Sequence, residues 1–246
     1  MKKTFLYAVV AAAVTAVTVI GIIGCDSNDL NGDPRQLNAF LWSIGGRGND
    51  DGGGTDSSNM VSFTDDRNGK KYRIVTIGMQ TWMAENLNYD PADGTGSWCY
   101  DDEPENCVKY GRLYDWETAN NVCPKGWKLP SRQEWQSLVS YVGGDAKAGS
   151  NLRSKGDWPN SNISSTDKYG FSALPGGDRY LEYDDQGDNY SFEGVGLIGL
   201  WWTATHDKDN NAYFRYMDSY DPGVGESFVP DYGMDYGLSV RCVRKN

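Results

Sequence analysis

Histidine is nearly absent from this chain: of 246 residues only His206 carries an imidazole. No CxxC pair occurs among the cysteines either, so a zinc site of the usual Cys/His spacing cannot be built. A cysteine nucleophile needs an imidazole to take its proton, and a serine triad would have to use the same His206. That residue sits in THDKDNN, a polar turn between two strand candidates, where exposure is the ordinary expectation. Basic residues are outnumbered, 23 Lys and Arg against 34 Asp and Glu, for a formal charge of −11. Such a surface repels a nucleic-acid backbone, which excludes that partner. No internal repeat is present.

What the chain does have begins with its first twenty-five residues, MKKTFLYAVVAAAVTAVTVIGIIGC: two lysines, an apolar stretch from Phe5 to Ile23, and small residues before Cys25. This is the layout of a secretory signal, predicted over residues 1–24. A stretch of that length could instead stay as a membrane span, but Ile22-Ile23-Gly24-Cys25 resembles a bacterial lipobox, whose cysteine is lipidated and becomes the new N-terminus. Cys25 is therefore the expected lipid attachment point, and the membrane the expected partner. The outer membrane or cell surface is the favoured location, with the periplasmic face of the inner membrane as the alternative signalled by Asp26. Residues 25–60 shift to Asn, Asp, Gly and Ser, with GGRGNDDGGGTDSS as the clearest stretch, and lack the apolar periodicity of a core. They read as a tether. NDLNGD within it misplaces the glycine that a calcium loop needs for its sharp turn.

Residues 61–246 are a plausible size for one domain. VSFTDDRNGKKYRIVTIG predicts a hairpin turning at Arg67-Asn68-Gly69, with its second strand, Tyr72 to Ile77, buried on both sides. Asp115 caps a helix in WETANNVC that Pro124 and Gly126 stop, with Trp116, Ala119, Val122 and Cys123 on one face. Ser131 caps a second helix, with Glu134 completing a capping box and Trp135, Leu138, Val139 and Val142 at helical spacing. Later come short strand candidates: FSAL at 171–174, GLWWTAT at 199–205, AYFRYM at 212–217 and LSVRCVR at 238–244. Helices first and antiparallel strands later give an α+β class.

With Cys25 assigned to lipid, Cys99, Cys107, Cys123 and Cys242 remain, an even number in an exported domain, which points to disulfides. Of the three connectivities that four cysteines allow, the nearest-neighbour one is favoured, Cys99 with Cys107 and Cys123 with Cys242. On a loop-entropy argument the short loop stabilises by roughly 2–3 kcal/mol and the long one by roughly 5.

Five ordered blocks, GKKYRIVTIGMQTWMAENLNYD, KYGRLYDWETA, CPKGWKLPSRQEW, WWTAT and GLSVRCVR, resemble the Fibrobacter succinogenes major paralogous domain, a family of exported bacterial proteins often carried on lipoproteins. The resemblance covers about Val61 to Lys245. The helix segment LYDWETANNVCPKGWKLPSRQEW with the terminal SVRCV also resembles the C-type-lectin-like fold shared with formylglycine-generating enzymes. That likeness implies two helices packed on a twisted, mostly antiparallel sheet with long irregular loops, and a bond from a helix cysteine to one on the final strand, here Cys123 and Cys242. It does not imply those enzymes' activity, because no cysteine lies between Cys123 and Cys242 to form their reactive pair. Nor does lectin calcium chemistry carry over: DEPEN at 102–106 has the wrong order, and Thr203 follows Trp202.

The expected function is a surface-anchored, non-catalytic binding or adhesion module that presents loops on a tether to polysaccharide or an envelope protein. DRYLEYDDQGDNYSFEG at 178–194 is the leading ligand stretch, with a second at 218–236. Its candidate contacts are Tyr180, Tyr183, Asp184, Asp185, Asp188 and Tyr190, since tyrosine rings stack on sugar faces and carboxylates bond hydroxyls. No cofactor is required, calcium being the one candidate ion and its ligands unassigned. The alternatives are a secreted carbohydrate-active enzyme using paired carboxylates, for which the sequence nominates no pair, and a structural envelope protein.

Overall fold

Gly69, at φ +73°, lets the chain reverse between β1 (Ser62–Thr64) and β2 (Lys71–Ile77), where its amide donates to the Asp65 carbonyl at 2.7 Å. The computed structural model describes residues 61–91, 94–159, 163–184, 187–230, 233 and 235–245. The expected signal peptide, Cys25 and the tether lie outside the described residues, as does Asp185. No helix among the described residues is long and apolar enough to cross a membrane.

β2 continues into β3 (Gln80–Met83), pairing Val75 with Trp82. Tyr72 and Ile77 of β2 are buried, but Arg73, Ile74 and Val75 are half-buried and Thr76 is exposed, so the expectation of burial on both sides fails. Only the three-residue β1 covers the outer edge of β2. The connection from β4 (Ser97–Trp98) to β5 (Leu113–Tyr114) holds a helix the apolar pattern did not reveal, α1 (Pro104–Tyr110), preceded by a tight turn at Tyr100–Asp102. The Cys99–Cys107 bond ties that turn to α1.

α2 (Trp116–Asn121) starts where expected, with the Asp115 carboxylate accepting from the Thr118 amide at 2.7 Å. After β6 (Trp127–Lys128), α3 (Arg132–Tyr141) opens on the expected capping box, in which Ser131 and Glu134 exchange side-chain to backbone bonds. Trp135, Leu138, Val139 and Val142 are all buried. A short α4 (Ala148–Leu152) follows, so the described residues hold four α-helices where the local patterns predict two.

Phe171 and Ala173 of FSAL are buried, but the segment is no strand: Ala173 makes a lone parallel bridge to Arg153, and Ser172, at φ +53°, breaks the extended run. Strands β7 (Gly176–Asp184), β8 (Gly187–Val195), β9 (Ile198–His206), β10 (Ala212–Asp218) and β11 (Gly225–Val229) come next. The expected LSVRCVR strand is two, β12 (Leu238–Ser239) and β13 (Val243–Arg244), in different sheets. One sheet runs β1-β2-β3-β13-β6; the other runs β11-β10-β9-β12-β5-β4, with β7 branching from β9 and β8 paired to β7. Pairing is antiparallel except where β9 meets β12 and β7. The protein is thus α+β, as read from the sequence.

Two apolar clusters fill the interior. In the first, Trp202 packs with Tyr72, Tyr114 and Val240; in the second, Trp201 packs with Trp82, Trp135 and Phe171. Adjacent residues of β9 point to opposite faces, so the Trp201-Trp202 pair feeds both clusters. Each fully buried indole contributes on the order of 4 kcal/mol before ordering costs. Cys123, just past α2, is bonded to Cys242, just before β13, with the Cα atoms 6.0 Å apart. Both cysteine pairings are those favoured from the sequence.

Candidate functional site

The tyrosine-rich acidic stretch is not a loop. It folds as the β7–β8 hairpin, a correction to the long irregular loop expected there. Register pairs Arg179 with Phe192, Tyr180 with Ser191, Leu181 with Tyr190, Glu182 with Asn189, Tyr183 with Asp188 and Asp184 with Gly187. Gly177 stands at its base with φ +65°, and a Cβ there would lie 2.4 Å from the Glu193 carbonyl, so only glycine admits the two strands this closely.

Cross-strand pairs share a face, which separates the predicted contacts. Tyr190 lies on the face of Leu181, Arg179 and Phe192, and Tyr180 on the opposite face with Ser191. Tyr183 pairs in register with Asp188 near the turn, next to the Asp184–Gly187 pair. Tyr180 and Tyr190 therefore do not share a face.

What the structure builds instead is a stack that the sequence reading missed. The Arg179 guanidinium is held between two rings, 3.9 Å from the centroid of Trp98 and 3.5 Å from that of Tyr190. The Tyr190 hydroxyl donates to the Asp235 carboxylate, and Arg179 Nη1 reaches the Asp235 carbonyl at 3.5 Å. Arg179 and Gly237 also exchange backbone hydrogen bonds, at 2.9 and 2.8 Å, which fix the hairpin against the chain before β12. Burial lowers the Arg179 pKa, against the opposing charges of Tyr190, Asp102 and Asp235. The bond to Asp235, with some burial, raises that of the Tyr190 phenol. Tyr190 nevertheless keeps 42 % of its surface exposed, an aromatic ring held in place and open to solvent. The signal that could have found the stack is Arg179 itself, the lone cation in an acidic, aromatic alternation.

Near the base of the hairpin, Asp178 pairs in register with Glu193. Burial, reinforced by the Glu193 charge, pushes the Asp178 carboxyl up to about 7. On the same face the Ser191 hydroxyl donates to Glu182 at 2.7 Å.

Other chemistry is sparse among the described residues. Cys99, Cys107, Cys123 and Cys242 are all in disulfides. His206 is exposed at the end of β9, as expected, with Nδ1 2.9 Å from the Asp207 carbonyl and its ring edge-on to Trp116. No group of three or more His, Cys, Asp or Glu side chains converges to hold a metal ion among the described residues.

No curated protein and no solved structure matches the chain. A family model described as the Fibrobacter succinogenes major domain matches residues 75–244. Since that span takes in β3 through β13 and more than half of the sequence, the chain belongs to the Fibrobacter succinogenes major domain family.

Proposed function

We propose that this protein is a lipid-anchored lipoprotein of the bacterial envelope, attached through Cys25, whose C-type-lectin-like domain is a non-catalytic binding module for polysaccharide or an envelope partner. The single observation that carries the reading is the Trp98–Arg179–Tyr190 stack, which holds a half-exposed tyrosine ring without flexible loops. A ring fixed before contact loses little conformational freedom when a ligand stacks on it. The C-type-lectin-like assignment is supported by the Cys123–Cys242 bond, which joins the end of a helix to the start of the last strand. The test is retention of the purified protein on cellulose, xylan and a glycan panel, with and without calcium, beside a Tyr190→Ala variant. Retention that falls at least tenfold in the variant supports the reading; retention on no surface sinks its carbohydrate form. For the anchor, Cys25→Ala expressed in a bacterial host moves the protein from the membrane to the soluble fraction.

A second reading, a carbohydrate-active enzyme using paired carboxylates, has one observation in its favour. Asp178 opposite Glu193 is an acid raised toward neutrality beside a second carboxylate, the division of roles that glycoside hydrolysis uses. Sustained turnover of a polysaccharide, abolished by Asp178→Asn, would establish it over the first.

A further inference from the structure

Away from the hairpin residues, an open cleft of about 350 Å³ lies between Arg73, Ala84 and Glu85 on one side and Ser154, Lys155, Asp157, Asp167, Ser172 and Leu174 on the other. That volume is at the lower end of the ~300–1,000 Å³ typical of small-molecule sites. Its polar groups are fixed before any ligand arrives. Glu85 accepts from the Arg73 amide at 2.9 Å and from its Nε at 3.3 Å, while Arg73 Nη2 donates to the Ala84 carbonyl at 3.2 Å. Opposite, Asp167 accepts from the Ser172 amide and hydroxyl at 2.8 and 2.7 Å. Both of these residues hold positive φ, +43° at Asp167 and +53° at Ser172, a conformation that non-glycine residues adopt rarely and that concentrates where function requires it. Ser172 is pinned from behind, its carbonyl accepting from the buried Arg241 at 3.3 Å.

Three lining groups remain uncommitted. Lys155 and Asp157, on either side of Gly156, make no hydrogen bond or ion pair among the described residues. Ser154, 6 % exposed, keeps a hydroxyl with no partner there.

The lining mixes charges of both signs. Arg73 is paired with Glu85, Lys155 stands beside the carboxylate of Asp157, on which Lys109 also acts, and Asp167 lies near the Arg241 cation behind the wall. Donors and acceptors are therefore interspersed, and Ala84 and Leu174 add apolar surface to the lining. A hydroxyl both donates and accepts, so a ring of hydroxyls on a C–H framework matches this lining, whereas an ion of either sign meets repulsion as well as attraction.

We infer that this cleft is a binding site for an uncharged polyhydroxylated ligand, a sugar ring or a short run of them. It goes beyond the hairpin reading and shares no residue with it. The experiment is titration of the full chain with cellohexaose, xylohexaose and a galacturonic acid oligomer, followed calorimetrically at about 20 and 300 mM salt. The wild type, Tyr190→Ala and the double variant Lys155→Ala/Asp157→Ala are compared. Expected is saturable binding of a neutral hexaose that weakens at least tenfold in the double variant, changes less than twofold with salt, and persists in Tyr190→Ala. A Leu174→Trp variant, which fills the cleft from its apolar side, abolishes it as well. Failure to bind either neutral hexaose overturns the inference, as does binding that survives both cleft variants or that salt weakens tenfold. A neutral hexaose lost only in Tyr190→Ala overturns it too, while upholding the hairpin reading.

Discussion

The side-chain oxygen of Asn86 accepts from both Nε and Nη2 of Arg241, at 3.0 and 2.7 Å, and from the Trp201 indole at 2.9 Å. Arg241 is fully buried, lies over the Phe171 ring and contacts no carboxylate among the described residues. Burial, with the nearby Arg73 charge, lowers its pKa to about 9 against the attraction of Glu85 and Asp167, while one neutral amide and a few backbone carbonyls supply its hydrogen bonds. Asn86→Ala leaves that cation and an indole N–H without their acceptor and should cost about 3 kcal/mol or more. Asn86→Asp, which restores an acceptor and adds a counter-charge, should lose less. Urea midpoints with unchanged m-values check both.

The two disulfides should differ in worth. Cys123 and Cys242 are 119 residues apart, Cys99 and Cys107 only 8. A bond that closes the longer loop removes more freedom from the unfolded chain, by roughly 5 kcal/mol against roughly 2–3. Replacing Cys123 and Cys242 together by alanine should therefore lower the thermal midpoint well below that of the Cys99/Cys107 double variant.

Stability should fall on both sides of mildly acidic pH. Burial alone would raise the Asp65 carboxyl, but the hydrogen bonds and charge of Arg67 outweigh it and hold it below its usual value. That stability is present above the unfolded pKa and disappears as pH drops through the folded one. Asp178 works in the opposite sense. Raised to about 7, it takes up a proton more readily in the folded state, so its contribution is complete below about 4 and is lost as pH rises through 7. Asp178→Asn should raise the midpoint at pH 7.5 by a few degrees and flatten the decline between pH 5 and 7; Asp65→Asn should remove part of the acid-side loss. Thermal melts across pH 3–8 measure both.

Ser131→Ala removes the cap of α3 and should cost about 1 kcal/mol. Glu134 also pairs with Lys128 at 2.8 Å, so Glu134→Ala loses the cap's second half and a partly exposed ion pair together. Unfolding curves should place Glu134→Ala at or below Ser131→Ala.

Legibility in the sequence followed the range of the forces involved. Ser131, Glu134 and Asp115 act within one turn, and their helices begin where the local pattern says. Both tryptophans of GLWWTAT are buried because a strand with two apolar sides needs two cores. Misses arose where distant groups decide. FSAL reads as a strand, but the Arg241 and Asp167 contacts hold Ser172 in a conformation no strand allows. α1 has a weak apolar stripe and is fixed by a disulfide. The β7–β8 stretch is rich in acidic and polar residues without a clean apolar alternation, which is the pattern of a solvated loop. Tyr180 and Tyr190 could be nominated from the sequence, but their placement on opposite faces depends on register, which the turn sets. The cleft gathers residues from β2 to Leu174, and nothing local announces that they meet.

The passage of Leu238–Arg244 from one sheet to the other also sets the order in which the domain can be completed. β12 lies between β9 and β5, and β13 between β3 and β6. A growing chain that ends at Gly237 has a gap in the middle of each sheet and no partner for Cys123. Neither sheet can close before Leu238–Arg244 has docked, so this one short segment completes both sheets and the long disulfide together.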